Sequence, residues 1–185
     1  MAEANKERIF DEFVELVSVP CHTLKERQVF ELLQQKLKDL GFVTQEDDAG
    51  KELGGECGNL WGWLPGNKVG AKRVLLTAHM DCVEPCEGIK VVKKDGKILS
   101  DGTTILGSDD KSGVVAILEA VRMLQETKEL VNGLANQRLT LVYHCHSSLS
   151  QYLLATSLHT KKSVYMLARC FQNQLLSNLK ETRLS

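Results

Sequence analysis

No apolar run in this 185-residue chain approaches the roughly 20 residues that a helix needs to cross a bilayer. The opening segment, MAEANKERIFDEF, lacks the apolar core of a secretory signal and reads as a charged helix. An excess of either charge is also missing. The formal net charge is -1, which offers nothing to attract nucleic acid or an anionic membrane. The six cysteines, at 21, 57, 82, 86, 145 and 170, contain no CxxC pair, and the closest two, Cys82 and Cys86, are four apart. With no signal segment, a disulfide framework is not expected; free thiols in a reducing cytoplasm are. No internal repeat is found. What remains is ordinary for one globular domain with a real core, 43% hydrophobic and 25% charged.

A second absence is local. Residues 147–185 contain no Gly, no Asp and a single acidic residue, Glu181, against five Lys or Arg. All 14 Gly lie in 1–146, with 23 acidic and 18 basic residues. The two parts therefore carry net charges of -5 and +4. An α/β domain uses Gly and Asp at its turns, and a linker would be rich in Pro and Gly, so the tail fits neither. A stripe of Met166, Leu167, Phe171, Leu175 and Leu176 suits a tail helix packed on a core better than a functional box.

Along 1–146 the pattern alternates between helical and extended. Ile9, Phe10, Phe13, Leu16 and Val17 predict a helix over 3–19, stopped by Pro20. Thr23 with Glu26 forms a capping-box signature for a second helix to about Leu40, ended by Gly41. Short strands are expected at 42–46 and 59–64. The nearly all-apolar run 73–78 (RVLLTA) suits a strand covered on both faces. Residues 91–99 read as a hairpin around Asp95-Gly96. A strong helix is expected from Ser112 to about Glu126, and a buried strand at 139–143 (LTLVY). This alternation predicts a three-layer α/β/α domain.

Two segments carry chemistry. In Thr77-Ala78-His79-Met80-Asp81 the imidazole falls at the carboxyl end of an apolar strand, where ligands of open α/β sheets collect. If extension continues, His79 and Asp81 share a face, and a carboxylate behind an imidazole fixes its tautomer. The bland alternative is a surface His followed by an Asp in a turn. The second segment, residues 100–113 (SDGTTILGSDDKSG), is a Gly-punctuated acidic loop leading into a helix. Its bland alternative is that the aspartates cap that helix and meet its dipole. Gly102 and Gly107 have P-loop spacing, but Ser108-Asp109 stand where Lys-Ser or Lys-Thr is needed, which excludes a phosphate cradle. The alternating acids and closing Glu of an EF-hand are missing too.

Taken together, TAHMDCVEP and SDGTTILGSDDKSGVVAILEA resemble the peptidase T-like zinc aminopeptidases, the tripeptidase branch of the two-zinc exopeptidases that include aminoacylase and carboxypeptidase G. The resemblance spans about residues 5–143 and includes the GNLWGWLPG strand in the expected order. It implies that His79 ligates one zinc, that Asp109 bridges both zincs, and that Asp81 joins the catalytic set by holding His79. It also implies a cis peptide after Asp109, a short-peptide substrate, and a homodimer in the intact family. Zinc takes His and carboxylate ligands readily, and a two-zinc site activates water for hydrolysis.

The match then breaks. After the strand equivalent to LTLVY the family has a Glu-Glu pair, a general base and a zinc ligand; Ser147 and Ser148 stand there instead. A hydroxyl is neither a base near neutral pH nor a usual zinc ligand. The family also draws a later Asp and His from the far half of its catalytic domain. Beyond 148 this chain has no Asp, and its remaining His, His159, matches no motif. The expectation is therefore a truncated catalytic domain over 1–146, lacking the inserted lid and dimerisation domain, followed by a divergent tail over 147–185. It would hold one zinc or none. The competing reading is a catalytically inactive fragment, at most a weak metal binder.

Overall fold

The computed structural model describes residues 3–64 and 74–126, with 139–144 as backbone. The expectations for 147–185, including Ser147, Ser148 and the tail helix, lie outside the described residues.

Helix α1 spans Lys6–Val17. Asn5 caps it, its Oδ1 accepting from Arg8 N at 3.0 Å, which satisfies one of the free amides of the first turn. Phe13, Leu16 and Val17 form its buried stripe, while Ile9 and Phe10 are only half-buried. Helix α2 spans Arg27–Asp39 and buries Val29, Phe30, Leu33 and Leu37. It ends in a Schellman arrangement. Gly41, at φ +82, lets Gly41 N donate to Lys38 O and Phe42 N to Leu37 O, both at 2.9 Å. The expected capping box is not formed. The helix begins after Glu26, and Thr23 lies too far upstream to cap it. The Glu26 carboxylate instead accepts from Leu24 N at 2.7 Å, and the Thr23 hydroxyl turns to Asp81.

Four strands form one mixed sheet in the order β1-β2-β6-β3: β1 Val43–Glu46, β2 Leu60–Leu64, β3 Val74–His79 and β6 Leu139–His144. A one-turn helix, α3, at Ala49–Glu52 links β1 to β2. β1 pairs with β2 and β2 with β6 antiparallel, whereas β3 and β6 run parallel. A parallel pair needs a long crossover, and here it holds the β4–β5 hairpin (Val91–Lys94, Lys97–Ser100) and α4 (Ser108–Glu126). The hairpin turns through Asp95 and Gly96 at φ +51 and +68, the signs a type I′ turn requires. α4 packs against β3 and α1, and α2 against β1 and β2. The core joins Leu16, Phe30, Leu33, Leu60, Met80, Val114 and Leu118, all fully buried or nearly so.

β3 departs from the strand covered on both faces that its apolar run predicts. Among the described residues it has one neighbour, β6, and Leu75, Leu76 and Thr77 are half-buried. The register pairs His79 with His144, so the carboxyl ends of the two parallel strands lie side by side.

Candidate metal centre

β3 ends at His79, and the chain leaves the sheet at Met80. Asp81 is therefore not placed by the strand pleat, as continued extension would have it, but by the turn that follows. The pair is made all the same. His79 Nδ1 lies 2.9 Å from Asp81 Oδ1. Asp81 is 4% exposed, and its Oδ2 accepts from the Thr23 hydroxyl at 2.9 Å. A buried carboxylate with both oxygens engaged is fixed in orientation, and it places the imidazole proton on Nδ1. That leaves Nε2 pointing away from the core.

Nε2 faces Asp109 Oδ1 at 3.1 Å. The two aspartates of the loop differ in what they do: one caps α4 and the other does not. Asp109 and Asp110 have non-helical backbone angles (φ -93, ψ 106 and φ -114, ψ 31), so the regular part of α4 starts after them. Asp110 is the cap, its Oδ1 accepting from Gly113 N at 3.2 Å. Asp109 is left with a 96% exposed side chain facing the imidazole. The peptide between them is cis, as the resemblance implies.

Burial lowers the proton affinity of His79, but the hydrogen bond and charge of Asp81, then Asp109 and Asp110, more than reverse this and raise its pKa to about 9. Burial pushes the Asp110 carboxyl above the usual carboxylate range, with the Asp109 charge adding to it and the imidazole opposing.

The donors present suit zinc. At Zn–N and Zn–O distances near 2 Å and a tetrahedral angle, two ligands of one ion stand about 3.3 Å apart. The 3.1 Å between His79 Nε2 and Asp109 Oδ1 is close to that spacing. The fit is partial, because no cluster of three or more His, Cys, Asp or Glu able to hold a metal occurs among the described residues.

Three residues of the site give no signal of their role in the sequence. Thr23 reads as a cap but holds Asp81. Lys111 falls in the acidic loop, ahead of the expected helix, but is 0% exposed beneath the site, donating to Met80 O and, at 3.1 Å, to Cys21 Sγ. Cys21 lies 3.2 Å from Cys82 across the same turn.

The fold and site define an α/β domain with an imidazole–carboxylate pair at the carboxyl end of a parallel strand pair. No family model matches the chain. It is 41% identical over 122 residues to the uncharacterized protein YqjE of Bacillus subtilis, covering 66% of this chain and 33% of that protein. It is 58% identical over 104 residues to peptidase T of Fusobacterium nucleatum, covering 55% of this chain and 24% of that protein. Among solved structures, aminopeptidase PepT of Bacillus cereus superposes with a TM-score of 0.69 at 40% identity, covering 76% of this chain and 36% of PepT. The chain thus spans between a quarter and about a third of the relatives it matches. Its N-terminal part is peptidase T-like.

Proposed function

We propose that this chain carries the front of a metal-dependent aminopeptidase catalytic domain, a hydrolase that removes N-terminal residues from short peptides, with an incomplete site in this polypeptide. The observation that carries the reading is the His79 Nε2–Asp109 Oδ1 pair at 3.1 Å, with Nδ1 of the same imidazole committed to a buried Asp81. His79 and Asp109 are the residues that would hold zinc. Asp81 is the positioning residue, keeping the proton on Nδ1 so that Nε2, on giving up its own proton as a metal takes that place, would present its lone pair. Thr23 in turn holds Asp81. Asp110 and Lys111 keep the ligand loop and the strand-end turn in register, one by capping α4 and the other by binding Met80 O. When bound, zinc supplies a Lewis acid that polarises a peptide carbonyl and acidifies a water.

The full reading extends to a three-layer α/β/α domain without the inserted lid, and to a cytoplasmic setting. Cys21 and Cys82 lie buried with their Sγ atoms 3.2 Å apart as thiols and not as a disulfide, which supports that setting.

A second reading, a catalytically inactive fragment with weak metal affinity, is favoured by two features. Only two donors converge among the described residues, and Ser147 and Ser148 stand where a glutamate base and ligand would be. The two readings separate in one assay. The purified chain is incubated with tripeptides and zinc, cobalt or manganese, and release of the N-terminal residue is followed. Chelator-sensitive release supports an active peptidase. No release with any of the three metals leaves the peptidase chemistry to the longer relatives and the metal site alone to this chain.

A further inference from the structure

Behind the imidazole–carboxylate pair lies a buried sulfur pair that the hydrolytic reading does not use. Cys21 follows Pro20 in the loop between α1 and α2, and Cys82 follows Asp81 after β3. They are 1% and 5% exposed, and their Sγ atoms are 3.2 Å apart. Their backbones are tied as well. Cys82 N donates to Cys21 O at 3.0 Å, and His22 pairs with Cys82 in an isolated parallel bridge. Lys111, wholly buried, donates to Cys21 Sγ at 3.1 Å. Such a neighbour favours a thiolate on one sulfur of the pair. Cys82 is flanked by Val83, which is 69% exposed, and by the exposed Glu84, so the pair lies just beneath the surface.

We propose that Cys21 and Cys82 form a reversible oxidation site, in which a peroxide converts the two thiols into a disulfide that ties the Thr23 loop to the turn carrying Asp81. The Cys21 sulfur attacks one peroxide oxygen. An S–O bond forms, the O–O bond breaks, and the departing hydroxide takes up the proton Cys21 has lost and leaves as water. Cys82 Sγ then attacks the sulfenic sulfur. The S–S bond forms, the S–O bond breaks, and the oxygen leaves with the Cys82 proton as a second water. The two sulfurs lose two electrons and the peroxide gains them. Lys111 Nζ donates to Cys21 Sγ, and among the described residues no such contact is made to Cys82, so the thiolate is favoured on Cys21. Cys21 is therefore the attacker and Cys82 the resolver; the bond from Cys82 and the Lys111 charge also lower the Cys21 thiol against the opposing effect of burial.

The test uses the full chain treated with hydrogen peroxide. Remaining thiols are alkylated, and peptides are mapped without reduction. The expected result is a cross-linked pair of peptides containing Cys21 and Cys82, reversed by dithiothreitol. Because the bond closes a loop between residues 61 positions apart, it should raise the thermal midpoint by on the order of 10 °C. Cys86→Ser keeps the link and the shift; Cys21→Ser loses both. A Cys82–Cys86 link, sulfinic acid on Cys21 or Cys82 without a link, or a midpoint shift that survives in Cys21→Ser overturns the proposal. Should Cys21→Ser not fold, the Cys86→Ser map alone decides between these outcomes.

Discussion

Glu26 is a built-in source of pH-dependent instability, and replacing it by Gln tests the energetics of the whole loop. Its side chain is 0% exposed. Oε1 accepts from Leu24 N at 2.7 Å, and Oε2 has no hydrogen-bond partner among the described residues. Burial raises its pKa from 4.5 to about 7, the Leu24 amide opposes, and the Asp81 charge adds to the rise. Below pH 4.5 the carboxyl is protonated in both folded and unfolded chains and costs nothing. Between 4.5 and about 7 the unfolded chain ionises first and holds fewer protons than the folded one, so stability falls as pH rises. The rise of roughly 2.5 pKa steps corresponds to about 3 kcal/mol. Gln keeps the acceptor for Leu24 N and leaves its amide unpaired at a pH-independent cost of about 1 kcal/mol or more. Urea unfolding at pH 4.5, 6 and 8 is the assay. Glu26→Gln should be no more stable than the parent at pH 4.5 and gain on it by about 3 kcal/mol by pH 8. Parallel stability curves for the two proteins would refute the argument.

Other perturbations follow from single contacts. Arg122→Met removes the bidentate partner of Glu12, which is 5% exposed and bonded by Arg122 at 2.6 Å through both oxygens. With Lys36 still at 3.1 Å, a loss of about 2–4 kcal/mol is expected at pH 7. Burial pushes the Glu12 carboxyl up, but Arg122 and Lys36 outweigh it and hold it below 4.5. The loss should therefore be complete above that pH and shrink as pH falls through the lowered value, read again by urea unfolding. Gly58→Ala places a Cβ 1.9 Å from Asp47 O, a backbone atom that cannot swing aside, and should cost more than about 2 kcal/mol in thermal unfolding. Asp81→Asn should weaken zinc binding about 10- to 100-fold in a calorimetric titration, since the imidazole loses the charge that orients it and raises its basicity.

The elements that announce themselves in the sequence are those whose apolar residues meet one continuous core. The stripes of α1, α2 and α4 and the hairpin at Asp95-Gly96 appear within four residues of their observed bounds, because periodicity and turn chemistry are local. The His79 and Asp109 segments are legible for a different reason, the resemblance of their motifs, and Asp110 as cap is the local alternative come true beside it. What was not legible is long-range. α3 is a single turn with no apolar repeat. Thr23 has the spacing of a cap, but Asp81, 58 residues away, takes its hydroxyl. Lys111 and Glu119 are charged residues whose hydrogen-bond partners lie far away in the sequence, and both are buried, Lys111 on Met80 O and Glu119 on Arg8 at 2.7 Å. Partners so distant leave no local periodicity behind.

The measurement that bears most directly on the central claim is a zinc titration of the purified chain, followed by calorimetry and by metal content after dialysis. The account predicts at most one zinc, bound weakly, with binding abolished in both His79→Ala and Asp109→Ala while the far-ultraviolet circular dichroism of each variant matches the parent. Zinc uptake unchanged by either substitution would contradict the assignment of the site. Two tightly held ions would contradict its incompleteness.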